Sequence, residues 1–168
     1  EAQTDATGYL GRVAASCDRP LRVGGHSKGG NLAAYAAAMC DGATRERVIQ
    51  VWCDDSPGFS EALCPHERLE AIAGRTRLLV PAYCIVARIL SHVVKPEVIL
   101  SDGKGAMQHS GMNWQVKGNR FERRNAIDAR ALRFGEIFSN AIKDHDMDFR
   151  RRFTSCFFDA LEAGGKTM

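Results

Sequence analysis

The sequence has no C-x-x-C pair, no Gly-rich phosphate or dinucleotide fingerprint, no long hydrophobic run and no strong excess of either charge. Each absence removes a class of protein. The longest apolar runs, Leu78-Leu79-Val80 and Ile85-Val86-Ala87, fall far short of the roughly 20 residues that a membrane-spanning helix needs. A net charge of only +3, from 23 basic and 20 acidic residues, gives no field that would draw nucleic acid or an anionic membrane. The six cysteines (Cys17, Cys40, Cys53, Cys64, Cys84 and Cys156) follow neither a zinc spacing nor a disulfide framework. They read as small, mostly buried thiols of a reducing compartment, with the cytoplasm as the default location. No metal and no cofactor is expected. The opening Glu1-Ala2-Gln3-Thr4-Asp5 shows neither a signal peptide nor an initiator Met, and the chain is expected to be an internal fragment.

What is present is a chain of 168 residues, 45% hydrophobic and 26% charged, ordinary for one globular domain with a real core. Strand and helix patterns alternate, which predicts a mostly parallel α/β sheet of about four strands with covering helices. A helix over Ala6–Ala15 leads to strands at Leu21–Gly24, Val48–Cys53, Arg77–Val80 and Pro96–Leu100. A small-residue helix, Gly30–Met39, follows the first strand, with Asp41-Gly42 as its stop. A helix carrying Leu63, Leu69 and Ile72, interrupted by Pro65, follows the second strand. Residues 84–90 read as a short helix or turn, and 101–109 as a Gly-bearing loop. The tail is expected to be helical from Asn125 to Lys143 and from Asp148 to Ala163, stopped by Gly164-Gly165. Within it Phe149, Phe153, Cys156, Phe157, Ala160 and Leu161 share one packing face. The whole is taken as one domain over 1–168, with 122–168 as its helical tail.

The most informative segment is Gly25-His26-Ser27-Lys28-Gly29. An apolar strand runs into it and an Ala-rich helix runs out, the setting in which G-x-S-x-G forms a nucleophile elbow. A Cβ at Gly25 or Gly29 is expected to collide with the adjoining strand and helix. The Lys28 N–H, at the helix start, is aimed to bind an oxyanion. An ordinary Gly-rich turn is the plainer alternative.

A serine needs a base, and the base an orienting acid. Functional groups of open α/β sheets gather at the carboxyl ends of strands. Ser27 follows the first strand, Asp54 and Asp55 the second, and His109 the loop after the fourth, in the chain order Ser, Asp, His. His109 is the preferred base and His92 the second choice. His66 and His145 read as solvent-facing, and His26 as packing or elbow support, turned away from the reacting face of Ser27. Asp55, before Pro57-Gly58, ranks first as the acid, Asp102 second and Asp54 third.

Together these residues resemble an uncharacterised bacterial family of lipase-like α/β-hydrolases, distantly similar to the class 3 lipases. The resemblance rests on Gly25-His26-Ser27-Lys28-Gly29-Gly30-Asn31-Leu32-Ala33 and on Asp55-Ser56-Pro57-Gly58-Phe59. Val80-Pro81-Ala82-Tyr83-Cys84-Ile85-Val86, Met107-Gln108-His109 and Trp114-Gln115-Val116 extend it to about Phe121. It implies a partial α/β-hydrolase fold, with Ser27 as nucleophile, His109 as base, Asp55 as acid and a small-molecule ester or lipid as substrate. Cys84 stands where the family commonly has Ser, and Ala87-Arg88 replaces a Gly-Met-like pair. The family also carries an upstream half, with a Phe-Arg-Gly-Thr-like loop supplying the second oxyanion donor. Without it the first strand is expected to present an open edge, to be covered by a missing N-terminal segment or a partner. The competing expectation is a catalytically silent remnant acting as a binding or structural module.

The remaining features carry plainer readings. Lys28 is expected to pair with an acid such as Asp54 or to extend into solvent, with binding of a substrate carboxylate or phosphate beside Ser27 as the alternative. Met112 and Trp114 read as lining an acyl pocket or as core. The clusters Arg120, Arg123, Arg124 and Arg150-Arg151-Arg152 are diluted by nearby acids, so solvated helical faces are expected and no nucleic acid is expected.

Overall fold

A computed structural model describes residues 2–142 and 145–165. The described chain divides into two compact units, one ending at Gly135 and one beginning at Glu136.

The first unit is built on four strands, β1 (Leu21–His26), β2 (Val48–Asp54), β3 (Thr76–Pro81) and β4 (Glu97–Ile99). They lie in the order β1-β2-β3-β4, and every pairing is parallel. This is the expected α/β class. Helices α1 (Ala2–Ser16), α2 (Lys28–Met39), α3 (Gly42–Arg47) and α4 (His66–Ala73) join or precede the strands. Leu10 and Ala14 of α1, Ala34, Ala37 and Ala38 of α2, and Leu69 and Ile72 of α4 form one buried cluster with Val51, Cys53, Leu78 and Val80 of the sheet. The period-two alternation along β2 and β3 sends these side chains to the helical face. The opposite face carries Trp52, Leu79, Ile99 and Trp114 as a smaller cluster. There Arg77 donates two hydrogen bonds of 2.6 Å to Glu97 across β3 and β4, with its guanidinium 4.7 Å over the Trp52 ring.

Several local expectations are revised. Asp41 starts a helix as well as following one. Its carboxylate accepts from the Thr44 N–H at 2.9 Å and the Thr44 hydroxyl at 2.6 Å, which caps α3. Pro65 caps α4, which therefore begins after Leu63, and Leu63 lies exposed. The loop after β4 winds into 3₁₀ turns at Gly105–His109 and Gly111–Asn113. An unforeseen hairpin, β5 (Val116–Lys117) with β6 (Arg120–Phe121), follows it. Arg120 therefore sits on a strand, and Arg123 pairs with Glu97, so this cluster is not a helical face.

Helix α5 (Ala129–Ile142) begins four residues after the expected Asn125, and Lys143 lies outside the described residues. In the second unit α6 spans Met147–Gly165, so Gly164-Gly165 lies within the helix. Phe149 and Phe153 stack at 6.0 Å, and Phe153 meets Phe138 edge-on at 5.4 Å. Cys156 and Ala160 are exposed, whereas the side chains of Phe157 and Leu161 lie outside the described residues. Among the described residues no helix is long and apolar enough to cross a membrane.

Cys40, Cys53, Cys64 and Cys84 are buried free thiols, Cys17 is half-buried and Cys156 exposed. Burial pushes the Cys53 and Cys84 thiols up to about 12.

Two glycines test how closely the elements pack. A Cβ on Gly25 would lie 2.4 Å from the carbonyl carbon of Gly29, backbone that cannot swing aside, whereas one on Gly11, inside α1, meets nothing within 4 Å. Gly25→Ala should cost more than about 2 kcal/mol, and Gly11→Ala should gain about 0.5–1 kcal/mol. Urea denaturation of both variants checks the contrast, and equal effects would contradict the packing.

Candidate active site

Strand β1 delivers Ser27 directly onto the first residue of α2. Ser27 adopts φ 56° and ψ −128°, a left-handed conformation rare for a side chain with a Cβ and costing about 1–3 kcal/mol. Its neighbours hold it there. The Ser27 N–H donates to Asp54 O at 2.8 Å, one rung beyond β1, and Ser27 O accepts from the Gly30 N–H at 3.1 Å. The turn closes tightly because Gly25 lies on Gly29, and because an added Cβ on Gly30 would lie 2.6 Å from Gly25 O and 2.7 Å from Ser56 Cβ. A Cβ on Gly29 would meet nothing within 4 Å. The second indispensable small residue is therefore Gly30, not the expected Gly29. Gly-Gly after Lys28 was the signal for it.

Asp55 repeats the device one strand over. Its N–H donates to Leu79 O at 2.7 Å, and it too turns to positive φ, 41°. The side chain is fully buried. Oδ2 lies 2.7 Å from His109 Nδ1, and Oδ1 accepts from the Ala87 N–H at 3.2 Å. A carboxylate only accepts, so the shared proton sits on Nδ1 and the lone pair of His109 is on Nε2. The His109 side chain is about one-third exposed.

Asn31, buried in α2, ties the elbow helix to the acid-bearing loop. Its amide donates to Pro57 O at 3.2 Å and Gly58 O at 3.0 Å, and its oxygen accepts from Lys28 Nζ at 3.0 Å. The Lys28 ammonium thus binds an amide rather than Asp54, on a side chain that is exposed as expected, and partial burial lowers its pKa. The first N–H groups of a helix have no carbonyl behind them to bond, and Lys28 holds the first position of α2.

His26 contacts the loop that carries His109. Its Nε2 lies 2.6 Å from His109 O, and the two rings stand 4.4 Å apart, tilted by 40°. It is therefore turned toward His109. Among the described residues no hydrogen bond joins Ser27 Oγ to His109.

A family model described as Mbeg1-like matches residues 1–159. The chain belongs to the Mbeg1-like family. No curated protein and no solved structure matches it.

In this Mbeg1-like chain the rival residues go elsewhere. The Asp102 side chain accepts from the Gln115 amide. Asp54 lies opposite His26 in the sheet register, its Oδ1 buried without a hydrogen-bond partner. Burial raises its pKa against the opposing influence of His26. His92 Nε2 lies 3.1 Å from Ala87 O, while His66 sits 3.4 Å from Glu61 and His145 stacks on Phe149. Trp114 is buried, in line with the core reading, and donates to Gln108 O at 2.8 Å, whereas Met112 is 93% exposed. Among the described residues no three His, Cys, Asp or Glu side chains gather as a metal would require.

His92 supplies a pH dependence. Burial pushes its imidazole below the usual range. The unfolded imidazole takes up its proton near about pH 6.5, the folded one only at lower pH, so the unfolded state binds more protons in between. Stability should therefore fall as pH drops below about 6.5 and level off below the folded pKa. His92→Gln should flatten that slope in urea titrations between about pH 7 and 5. A slope identical to the parent's would contradict the assignment.

Proposed function

We propose that the chain is a serine hydrolase of lipase or esterase type, acting on carboxylic esters or lipids. The observation that carries this reading is the 2.7 Å contact between His109 Nδ1 and the buried Asp55 carboxylate, at the same sheet edge as the strained Ser27. Membership of the Mbeg1-like family is in keeping with a lipase-like hydrolase.

In this mechanism Ser27 Oγ attacks the acyl carbon and its proton passes to His109 Nε2. The oxyanion takes a hydrogen bond from the Lys28 N–H. The alcohol leaves with the proton from His109, and water repeats the sequence to release the acid. Asp55 keeps the imidazole in the required tautomer and stabilises its charged form. Serine and imidazole come into hydrogen-bond contact only when substrate occupies the site, since catalytic contacts are often long in a free enzyme. A second oxyanion donor beside the Lys28 N–H is worth about 100- to 1,000-fold in rate.

The open edge of the sheet belongs to the same proposal. Strand β1 is hydrogen-bonded to β2 alone among the described strands. A groove of about 370 Å³ runs along its other side, lined by Tyr9, Leu10, Val13, Val23 and Leu32. A further strand, from an upstream segment or a partner, pairs there. The second reading, a silent hydrolase-like module, rests on this same unpaired edge.

A fluorophosphonate probe separates the two. Parent protein should label at Ser27, Ser27→Ala should not, and Asp55→Asn should label about 100- to 10,000-fold more slowly. Folded parent protein that fails to label would overturn the hydrolase reading.

A further inference from the structure

We infer that His26 is a positioning residue that fastens the loop carrying the base onto the nucleophile elbow, an inference that rests on the serine hydrolase reading. The loop around His109 is held by contacts from four directions. Asp55 takes the imidazole, Trp114 Nε1–H donates to Gln108 O at 2.8 Å, and the Tyr83 N–H donates to Gln108 Oε1 at 2.9 Å. The fourth contact comes from the residue bonded to the nucleophile itself, His26 Nε2 to His109 O at 2.6 Å. Because a carbonyl only accepts, Nε2 of His26 carries a proton. One side chain thus spans the two chain segments whose separation sets the Ser27-to-His109 distance.

The surroundings of His26 are suited to this task. Its ring lies against the His109 ring at 4.4 Å and meets the Trp114 ring edge-on at 6.4 Å. Trp114 is itself buried against Leu79 and Ile99. His26 is otherwise exposed, so its orientation rests on these two ring contacts and on the hydrogen bond itself. Asp54 lies opposite His26 in the sheet register. A base displaced by about 1 Å costs a hydrolase on the order of 100-fold, so a contact that fixes this spacing bears on rate.

The test separates the hydrogen bond from the packing. His26→Phe keeps a ring and loses the donor, whereas His26→Gln keeps an amide donor at nearly the reach of Nε2. Two readouts are needed: the rate of Ser27 labelling by the fluorophosphonate, and amide hydrogen exchange over residues 105–114. His26→Phe should slow labelling by about 10- to 100-fold and speed exchange by about 10-fold. His26→Gln should recover most of both. Should His26→Phe unfold, His26→Asn, whose shorter amide cannot reach the carbonyl, takes its place. Parent-like behaviour of the donor-free variant in both readouts would overturn the inference, as would a Gln variant as impaired as the Phe one. If the parent protein does not label at all, the hydrolase reading fails. The exchange data then decide the clamp by themselves.

Discussion

The site depends on how closely helix α2 approaches the end of strand β1. Ser27 can turn to a left-handed backbone conformation only because the chain behind it and ahead of it lie in direct contact. Gly25 rests on Gly29, and Gly30 rests on Gly25 and Ser56. Side chains at Gly25 and Gly30 would push the helix outward, and the N–H groups at its start would move with it. The run of alanines that follows serves the same end, because small side chains let the helix lie against the sheet. The strain at one residue is thus supported by packing spread over three elements.

The second strand repeats the arrangement, and the repetition gives the site its order. At both Ser27 and Asp55 the N–H completes a last rung with the neighbouring strand before the backbone swings to positive φ. Two adjacent strands therefore release their next residues at the same level of the sheet. The third group comes from further along the chain, on a short 3₁₀ turn that has little structure of its own. It is held by side chains that reach in from Asp55, Trp114 and His26. Asn31 completes the frame by joining α2 to the Pro57-Gly58 carbonyls. Two members of the constellation are thus set by the sheet ladder, and one by side-chain contacts.

That division explains what could be read from the residues beforehand. Strand, elbow and helix are local, so Leu21 to Met39 announced itself through apolar spacing and glycine. The parallel class followed from alternation, and the strand ends fixed which residues lie at one edge. Other features depend on contacts across space. Whether Asp55 or Asp102 faces the imidazole is decided by the loop path after β4, and no periodicity encodes it. The same is true of Gly30, whose need for a bare α-carbon comes from Ser56, 26 positions away in the chain. Asp41 carries two roles. The Asp-Gly pair follows the end of α2 at Met39, as expected. Thr44 three positions on also makes Asp41 the cap of α3, which its spacing alone did not announce. The 116–121 hairpin is too short for alternation to show.

The buried cysteines have a practical consequence for anyone probing this chemistry. A thiol is reactive only as its thiolate. Cys53 and Cys84, sealed in the core and pushed up to about 12, hold almost none of it near neutrality. Alkylating reagents are left with Cys156 and, in part, Cys17, neither of which belongs to the elbow segment. Thiol-directed and hydroxyl-directed electrophiles therefore report on separate residues of this molecule, so adducts of the two kinds can be counted side by side on one intact chain.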